Sequence, residues 1–573
     1  MDTTLNDHKL TIYQLLPRLF SNVNSTNKFY GSIEENGCGK LNDINDTALH
    51  AISDMGFTHV WYTGVIEHAT MTDYSAYGIL PDDPDVVKGR AGSPYAIKDY
   101  YDIDPDLAVD IPNRINEFKA LVQRTHQAGL KVIMDFVPNH VARTYKSDAK
   151  PAGVRDFGED DDVSVPFSAA NDFYYIPSQA LTIPSGYNPG GNELKSPLKD
   201  GKFYEYPAKA TGDNVFNAYP TINNWFETIK LNYGVDYANG YTTHFNPIPP
   251  LWHKMFDILT YWANMGVDAF RCDMVEYVPF EFWGWLIPRL KQKYPYLQFI
   301  GEAYNPGEYA NYLFKGGFDY LYDKVGLYDA IKRLTRNEGH ASAWDINAVW
   351  NHHTQGFNER MLRFMENHDE ERIASAPFAG DPWKAVPGMI VTATLSIGPV
   401  MIYFGQEVGE AATCSEGFSG NDGRTTIFDY WGVPEHQKWV NNGAWDGGQL
   451  SHEQKELRAF YNKLLKAVRN NDALRAGDFY ELMMANEHQW GFNARLYIYL
   501  RYTDTQRILI VANFNREDRE ITVKLPADLL NKFNLHGKQV FADLLTGSQF
   551  ITNDIYRGVH LNISSMSGLL LEF

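Results

Sequence analysis

From Thr11 onward the chain repeats one rhythm: a short β-branched or aromatic run, a polar loop, then an amphipathic stretch of helical period. Eight of these runs read as strands, at residues 12–16, 58–63, 131–136, 267–271, 298–302, 318–322, 363–366 and 400–404. Eight β/α units close into a parallel barrel, so the fold class is α/β, a TIM (β/α)8 barrel. The spacing is uneven once, where about 130 residues separate the third strand from the fourth. Residues 142–250 are rich in Gly, Pro, Asn, Asp and Tyr and lack a long helical pattern, which predicts a small irregular domain rather than a plain loop. Beyond residue 447 a helical stretch at 453–468 gives way to alternating runs at 495–501, 507–513 and 520–525, the pattern of a C-terminal antiparallel β-sandwich. The expected domains are therefore the barrel, 8–141 and 251–470, the inserted domain, 142–250, and the C-terminal sandwich, 471–573.

Composition narrows the function by exclusion. The net charge of -20, with no Lys/Arg-rich block to offset it, would repel a phosphate backbone, so neither nucleic acid nor an anionic membrane is an expected partner. The three cysteines, Cys38, Cys272 and Cys414, form no CxxC and no metal-ligand spacing. The longest apolar stretch, 391–404, is broken by Gly398 and Pro399, and the first ten residues lack a basic segment followed by an apolar one. A cytoplasmic protein is expected, or a secreted or periplasmic one if a leader has been removed, acting as a monomer or weak oligomer. The 36 tyrosines and 13 tryptophans fit a core and surface as well as they fit sugar stacking. The acidic run 159–162 reads as a solvated loop, and the Gly-Cys-Gly-Lys-Leu at 37–41 lacks the spacing of a phosphate loop.

Catalytic groups of such barrels stand at the C-terminal ends of strands, and three acids fall there: Asp273, Glu302 and Asp369. The 29 residues from Asp273 to Glu302 make one β/α unit and the 67 from Glu302 to Asp369 make two, which places the acids on strands four, five and seven around one mouth. Breaking a glycosidic bond needs one group to protonate the leaving oxygen and another to meet the oxocarbenium-like carbon. Arg271, two residues before Asp273 on the same strand face, would keep that carboxylate ionised as a nucleophile, whereas Glu302 must start protonated. Asp369 would bind sugar hydroxyls and steady the positive ring.

Four segments then carry a resemblance. Asp135-Phe-Val-Pro-Asn139-His140, Gly266-Val-Asp-Ala-Phe-Arg271-Cys-Asp273, Gly301-Glu302 and Glu366-Asn-His368-Asp369 lie in the order and spacing of the four short motifs of the α-amylase family. The chain is thereby similar to retaining α-glucan hydrolases, with domain B after strand three and domain C at the end. The resemblance implies Asp273 as nucleophile, Glu302 as acid/base and Asp369 as transition-state stabiliser. It implies Arg271, His140, His368 and the stacking Tyr95 as contacts of the sugar at the cleavage subsite, with Asp135 supporting the barrel mouth. It implies cleavage of α-1,4-glucosidic bonds of starch, glycogen or maltooligosaccharides through a covalent glycosyl-enzyme. Alternatives within the family are a transglycosylase, a neopullulanase or cyclomaltodextrinase, or an α-glucosidase. A non-enzymatic carbohydrate-binding or scaffolding relative usually loses one of the acids, and all three are present here. No cofactor is required for the chemistry, but the resemblance implies a structural calcium ion with Asn139 as a ligand. Two departures stand out: Glu276 and Tyr277 replace the Lys-His that many α-amylases carry after the nucleophile, and Asn232 stands where an Asp is common.

Overall fold

In a computed structural model that describes residues 9–573, eight parallel strands close into a barrel. They are β1 (Thr11–Leu15), β2 (His59–Tyr62), β3 (Lys131–Phe136), β4 (Ala269–Cys272), β5 (Gln298–Gly301), β6 (Tyr320–Tyr322), β7 (Met361–Phe364) and β8 (Val400–Tyr403). Each runs beside its sequence neighbour, and β8 pairs with β1 to complete the circle. Every strand predicted from the sequence is present, with ends displaced by two residues at most. Residues 1–8, which include the first residue of the expected barrel span and most of the segment read for an export signal, lie outside the described residues.

The strands are buried nearly end to end, as parallel strands covered by helices on one face and barrel side chains on the other must be. Helix Phe280–Lys293, between β4 and β5, shows how that cover is built: Phe282, Trp283, Leu286, Ile287 and Leu290 recur at helical spacing on its buried face. Each such side chain contributes roughly 1.5–3 kcal/mol on leaving water. Two polar side chains of the barrel show how the cost of burial is offset. Arg363 of β7 pairs with Asp323 at 3.0 Å, and Gln14 of β1 bonds Thr63 at 3.1 Å.

Two excursions rise from the C-terminal end. A hairpin of Ile66–His68 against Ile97–Ile103 follows β2. After β3, the stretch to residue 250 holds only short pairs, His140–Ala142 with Thr228–Lys230, Tyr175–Ile176 with Ala208–Lys209 and Val235–Asp236 with Thr242–Thr243. Its Gly, Pro and Asn content leaves little for long elements. At the other end of the chain, six antiparallel strands form one sheet in the order Asp478–Glu481, Leu496–Tyr502, Arg507–Asn513, Ser567–Glu572, Gln539–Asp543, Gln549–Thr552, beside a pair, Arg519–Val523 with Val559–Ile563. The fully buried helix Val386–Thr394 lies between that sheet and the barrel, and the Arg501 guanidinium donates to the Leu395 carbonyl at 3.0 Å. Among the described residues no helix is long and apolar enough to cross a membrane.

The loop that carries Ser93 and Tyr95 toward the barrel mouth turns at Gly92, whose φ is +81° and whose missing Cβ would lie 1.7 Å from the Ala69 carbonyl oxygen. Gly92→Ala is therefore expected to lower unfolding free energy by about 2 kcal/mol or more, read from the midpoint of a denaturant titration.

Candidate active site

Strand register brings the acids together. Arg271 of β4 lies directly opposite Asp135 of β3, and Cys272 opposite Gly301, so Asp273 and Glu302 leave adjacent strand ends side by side. Asp273 is fixed by its own N–H, which donates to the Phe136 carbonyl at 2.9 Å, and Glu302 by its N–H to Cys272 at 3.0 Å. Asp369 follows β7 on a turn capped by Asn367, whose side-chain oxygen accepts from the N–H groups of Asp369 and Glu370, both at 2.9 Å. Glu366, buried below, accepts from Arg372 at 3.0 Å and from the Ile373 N–H at 2.6 Å, which anchors the far side of the turn.

One guanidinium organises the floor. Arg271 is fully buried, and its two terminal nitrogens reach Asp135 at 3.0 Å, Asp273 at 2.9 Å and Glu302 at 2.9 Å. The rings of Trp61, Tyr95 and Tyr322 surround it at 5.2, 5.5 and 5.4 Å. Burial disfavours its charge, but Asp135 and Glu302 outweigh that and hold it protonated well beyond the ordinary arginine range. The Asp273 and Glu302 carboxyls stand side by side on this guanidinium. Burial first, and then the like charge of Glu302, push the Asp273 carboxyl well above its ordinary range, with Arg271 opposing. Arg271 therefore favours ionisation of Asp273, as its place on the strand predicts, against burial and the charge of Glu302. One arginine thus faces three carboxylates.

The cavity above this floor has a volume of about 450 Å³ and is lined by Asp273, Glu302, Asp369, Tyr95 and His140 from the expected set. Arg271 and His368 lie behind this wall rather than on it. His368 stacks beneath Tyr95 with ring centres 5.3 Å apart, its Nδ1 lies 2.7 Å from the Gln14 side-chain amide, and its Nε2 lies 3.0 Å from Asp369 Oδ2. Burial works against ionisation of Asp369, yet the His368 imidazole and the Arg271 charge hold its carboxyl below the usual range. Burial pushes His140 down to about 3, so its ring is neutral.

Several residues of the site carried no signal in the sequence reading. Tyr304 donates its hydroxyl to Glu302 Oε1 at 2.6 Å, and the Met274 N–H donates to Oε2 at 2.9 Å from a backbone at φ +44°. The Trp61 indole donates to Asp135 at 3.2 Å. Glu276, noted only as a departure, accepts from the N–H groups of Tyr304 and Asn305, both at 2.8 Å, and so positions the loop that holds Tyr304. Tyr304, two residues past a strand-end acid, could have been singled out by the same argument that found Glu302. The insert supplies Trp225 and Glu227 to the cavity, and Glu227 pairs with Lys88 at 2.7 Å.

A calcium ion held by Asn139 does not fit these residues. Register places Lys230 opposite His140, and the buried Lys230 ammonium donates to Asn139 Oδ1 at 2.7 Å and approaches the Tyr277 carbonyl at 3.4 Å. Asn139 spends its amide on the Gly212 carbonyl at 2.8 Å. The oxygen expected as a metal ligand therefore already faces a positive charge, with the rings of Tyr237 and Tyr277 at 5.4 and 5.5 Å around it.

Comparison with known proteins agrees with this arrangement. The family model described as "Alpha amylase, catalytic domain" matches residues 14–298. Cyclomaltodextrin glucanotransferase of Geobacillus stearothermophilus is 24% identical over 526 residues, 88% of this chain but only 59% of that protein's length. Neopullulanase 2 of Thermoactinomyces vulgaris is 20% identical over 557 residues, 92% of this chain and 74% of that one. The structure of α-amylase from Geobacillus thermoleovorans, complexed with acarbose, superposes with a TM-score of 0.61 at 18% identity, covering 100% of this chain and 99% of that one. With the closed barrel, the four motif segments at its mouth and this match to the catalytic domain, the chain belongs to the α-amylase family.

Proposed function

We propose that this chain is a retaining α-glucan hydrolase that cleaves α-1,4-glucosidic bonds of starch, glycogen or maltooligosaccharides. The observation that carries the reading is that the Asp273 and Glu302 carboxylates leave adjacent strand ends and meet one guanidinium on the cavity floor, each at 2.9 Å. An inverting enzyme needs its carboxyls roughly 6.5–9.5 Å apart to admit a water, whereas a covalent intermediate requires the closer pair.

In this mechanism the Asp273 carboxylate attacks the anomeric carbon as the glycosidic bond breaks, and Glu302 gives its proton to the leaving oxygen. Water then attacks the anomeric carbon of the glycosyl-enzyme, Glu302 takes its proton, the bond to Asp273 breaks, and the sugar leaves with its starting anomeric configuration. In the free site Glu302 accepts from Tyr304 and Met274 and pairs with Arg271, while burial and the like charge of Glu302 favour a proton on Asp273. The glycosidic oxygen, an acceptor arriving at Glu302, draws that proton across, and Asp273 becomes the nucleophile as Glu302 becomes the acid. Asp369, ionised and about a third exposed, faces the ring where positive charge develops. Arg271 and His368 act as positioning residues, while Tyr95 and His140 meet the sugar from the wall. The domain division at 142, 250 and 470 and a cytoplasmic location belong to the same reading. The 24% match to a glucanotransferase favours one variant of it, in which a sugar hydroxyl replaces water as acceptor.

Time-resolved product analysis on soluble starch, maltooligosaccharides, pullulan and cyclodextrins should show α-anomeric oligosaccharides first from the wild type, whose lengths separate hydrolysis from transfer. Asp273→Asn should lose roughly 10⁴-fold or more in kcat and Glu302→Gln roughly 10²–10⁴-fold. Early β-anomers, or an Asp273→Asn variant of full activity, would overturn the reading. The profile of kcat/KM against pH carries a second expectation. The active pair holds one proton, so activity is lost on the alkaline side as that proton leaves, above the ordinary carboxylate range because of burial and the like charge. It persists on the acid side until Asp369 protonates, below that range. Glu302→Gln should abolish the alkaline limb while leaving the acid one. Lys230→Met, which strands the Asn139 oxygen, should lower stability by about 2 kcal/mol in thermal or denaturant unfolding, and added calcium should not close the gap to wild type measured at the same calcium concentration.

A further inference from the structure

Away from the cavity, four carboxyl groups meet where the hairpin after β2 touches the start of the insert. Glu67 stands opposite Asp99 across the hairpin, Asp102 follows on the same strand, and Asp148 comes from the insert. An oxygen from each lies within 4.8 Å of the others. Asp99 is the clamp that brings the fourth group in, since its carboxylate accepts from the N–H groups of Asp148 at 2.9 Å and Ala149 at 3.0 Å and from the Ser147 hydroxyl at 2.6 Å.

The charges do not balance. Arg114 donates to Asp102 at 2.9 Å and stands 3.9 Å from Asp148. Lys98 is committed to Asp82 at 3.1 Å and to the Leu80 carbonyl. Four carboxylates thus face one arginine. Glu67 is 1% exposed and neither of its carboxylate oxygens has a hydrogen-bond partner, although it sits directly opposite another acid. Like charges opposed in a hairpin repel, and a buried carboxylate without partners is among the costliest arrangements in a protein interior. A buried carboxylate with both oxygens unpartnered, one of them within 4.8 Å of an oxygen from each of three further carboxylates, is a donor set suited to a hard cation.

The geometry points to a calcium site formed by Glu67, Asp99, Asp102 and Asp148. Calcium takes six to eight oxygens at roughly 2.3–2.6 Å. Ligands on a sphere of that radius lie within about 4.8 Å of one another, the spread observed here. Magnesium holds its waters more tightly and favours fewer carboxylates, so it fits less well. Asp148 is exposed, which leaves the ion a route in and room for water to complete its shell. Such an ion would tie the hairpin to the first turn of the insert, close to Tyr100, whose hydroxyl donates to the Val137 carbonyl beneath the cavity. This site is separate from Asn139, where Lys230 takes the cation's place.

The test is calcium binding to protein stripped with chelator, followed by titration calorimetry and thermal unfolding. Wild type is expected to bind one ion at this cluster and to gain several degrees in Tm. Glu67→Gln should lose the calcium-dependent rise, and Asp148→Asn, at the exposed edge where folding is not at stake, should weaken binding at least about tenfold. If wild type shows neither heat nor a Tm change up to roughly 10 mM calcium, beyond the weakest protein sites, the carboxyls are held by protons and the proposal falls. It falls equally if both variants bind calcium as wild type does.

Discussion

Everything at the barrel mouth depends on the charge of Arg271. Three carboxylates converge on it from three successive strands, Asp135 on β3, Asp273 after β4 and Glu302 after β5, and none could be buried so closely without a cation among them. A lysine would offer one point of charge, whereas the planar guanidinium serves different acids with separate nitrogens and lies flat among the rings of Trp61, Tyr95 and Tyr322. Because Arg271 is rooted in a barrel strand, closure of the barrel and assembly of the site are a single event. A register slip of one residue in β4 would turn the arginine outward and leave the acids uncompensated.

The same arrangement explains why two chemically similar side chains can serve unlike ends. Asp273 and Glu302 share one arginine, but Glu302 also accepts from Tyr304 and the Met274 backbone, so the loops around it set its orientation. Glu276 fixes Tyr304 in turn through two backbone N–H groups. The residue that departs from the common Lys-His pattern is thus part of the support of the acid rather than a missing substrate contact. Asp369 is tuned by a different neighbour, His368, so the three acids have distinct environments within one cavity.

How much of this was legible in the sequence follows from the range over which each signal acts. The strands of the barrel show in local alternation, and their ends slip by a residue or two, as at β7, because pairing rather than propensity sets where a short strand starts. The three acids were found because strand ends are identifiable in sequence. Contacts that depend on distant pieces were invisible. Lys230 meets Asn139 from 91 residues away, and Gln14 meets His368 from 354. The carboxyl cluster draws its members from a hairpin and from the insert, so no window of sequence contains it. For the residues the sequence pointed to, burial decided their disposition: Arg271 and His368 stand behind the cavity wall, which only the packing of Tyr95 and Asp369 over them reveals.

The lysine beneath Asn139 changes how the joint between barrel and insert responds to its surroundings. A bound ion stabilises by mass action, in proportion to the logarithm of its free concentration over its dissociation constant, and is lost on dilution or to a competitor. A cation attached through four methylenes to the strand Thr228–Lys230 has no such dependence: its local concentration is set by the fold and cannot be depleted. What can change is its proton. Burial lowers Lys230 to about 7, so the charge at this joint is governed by acidity and not by the supply of any metal.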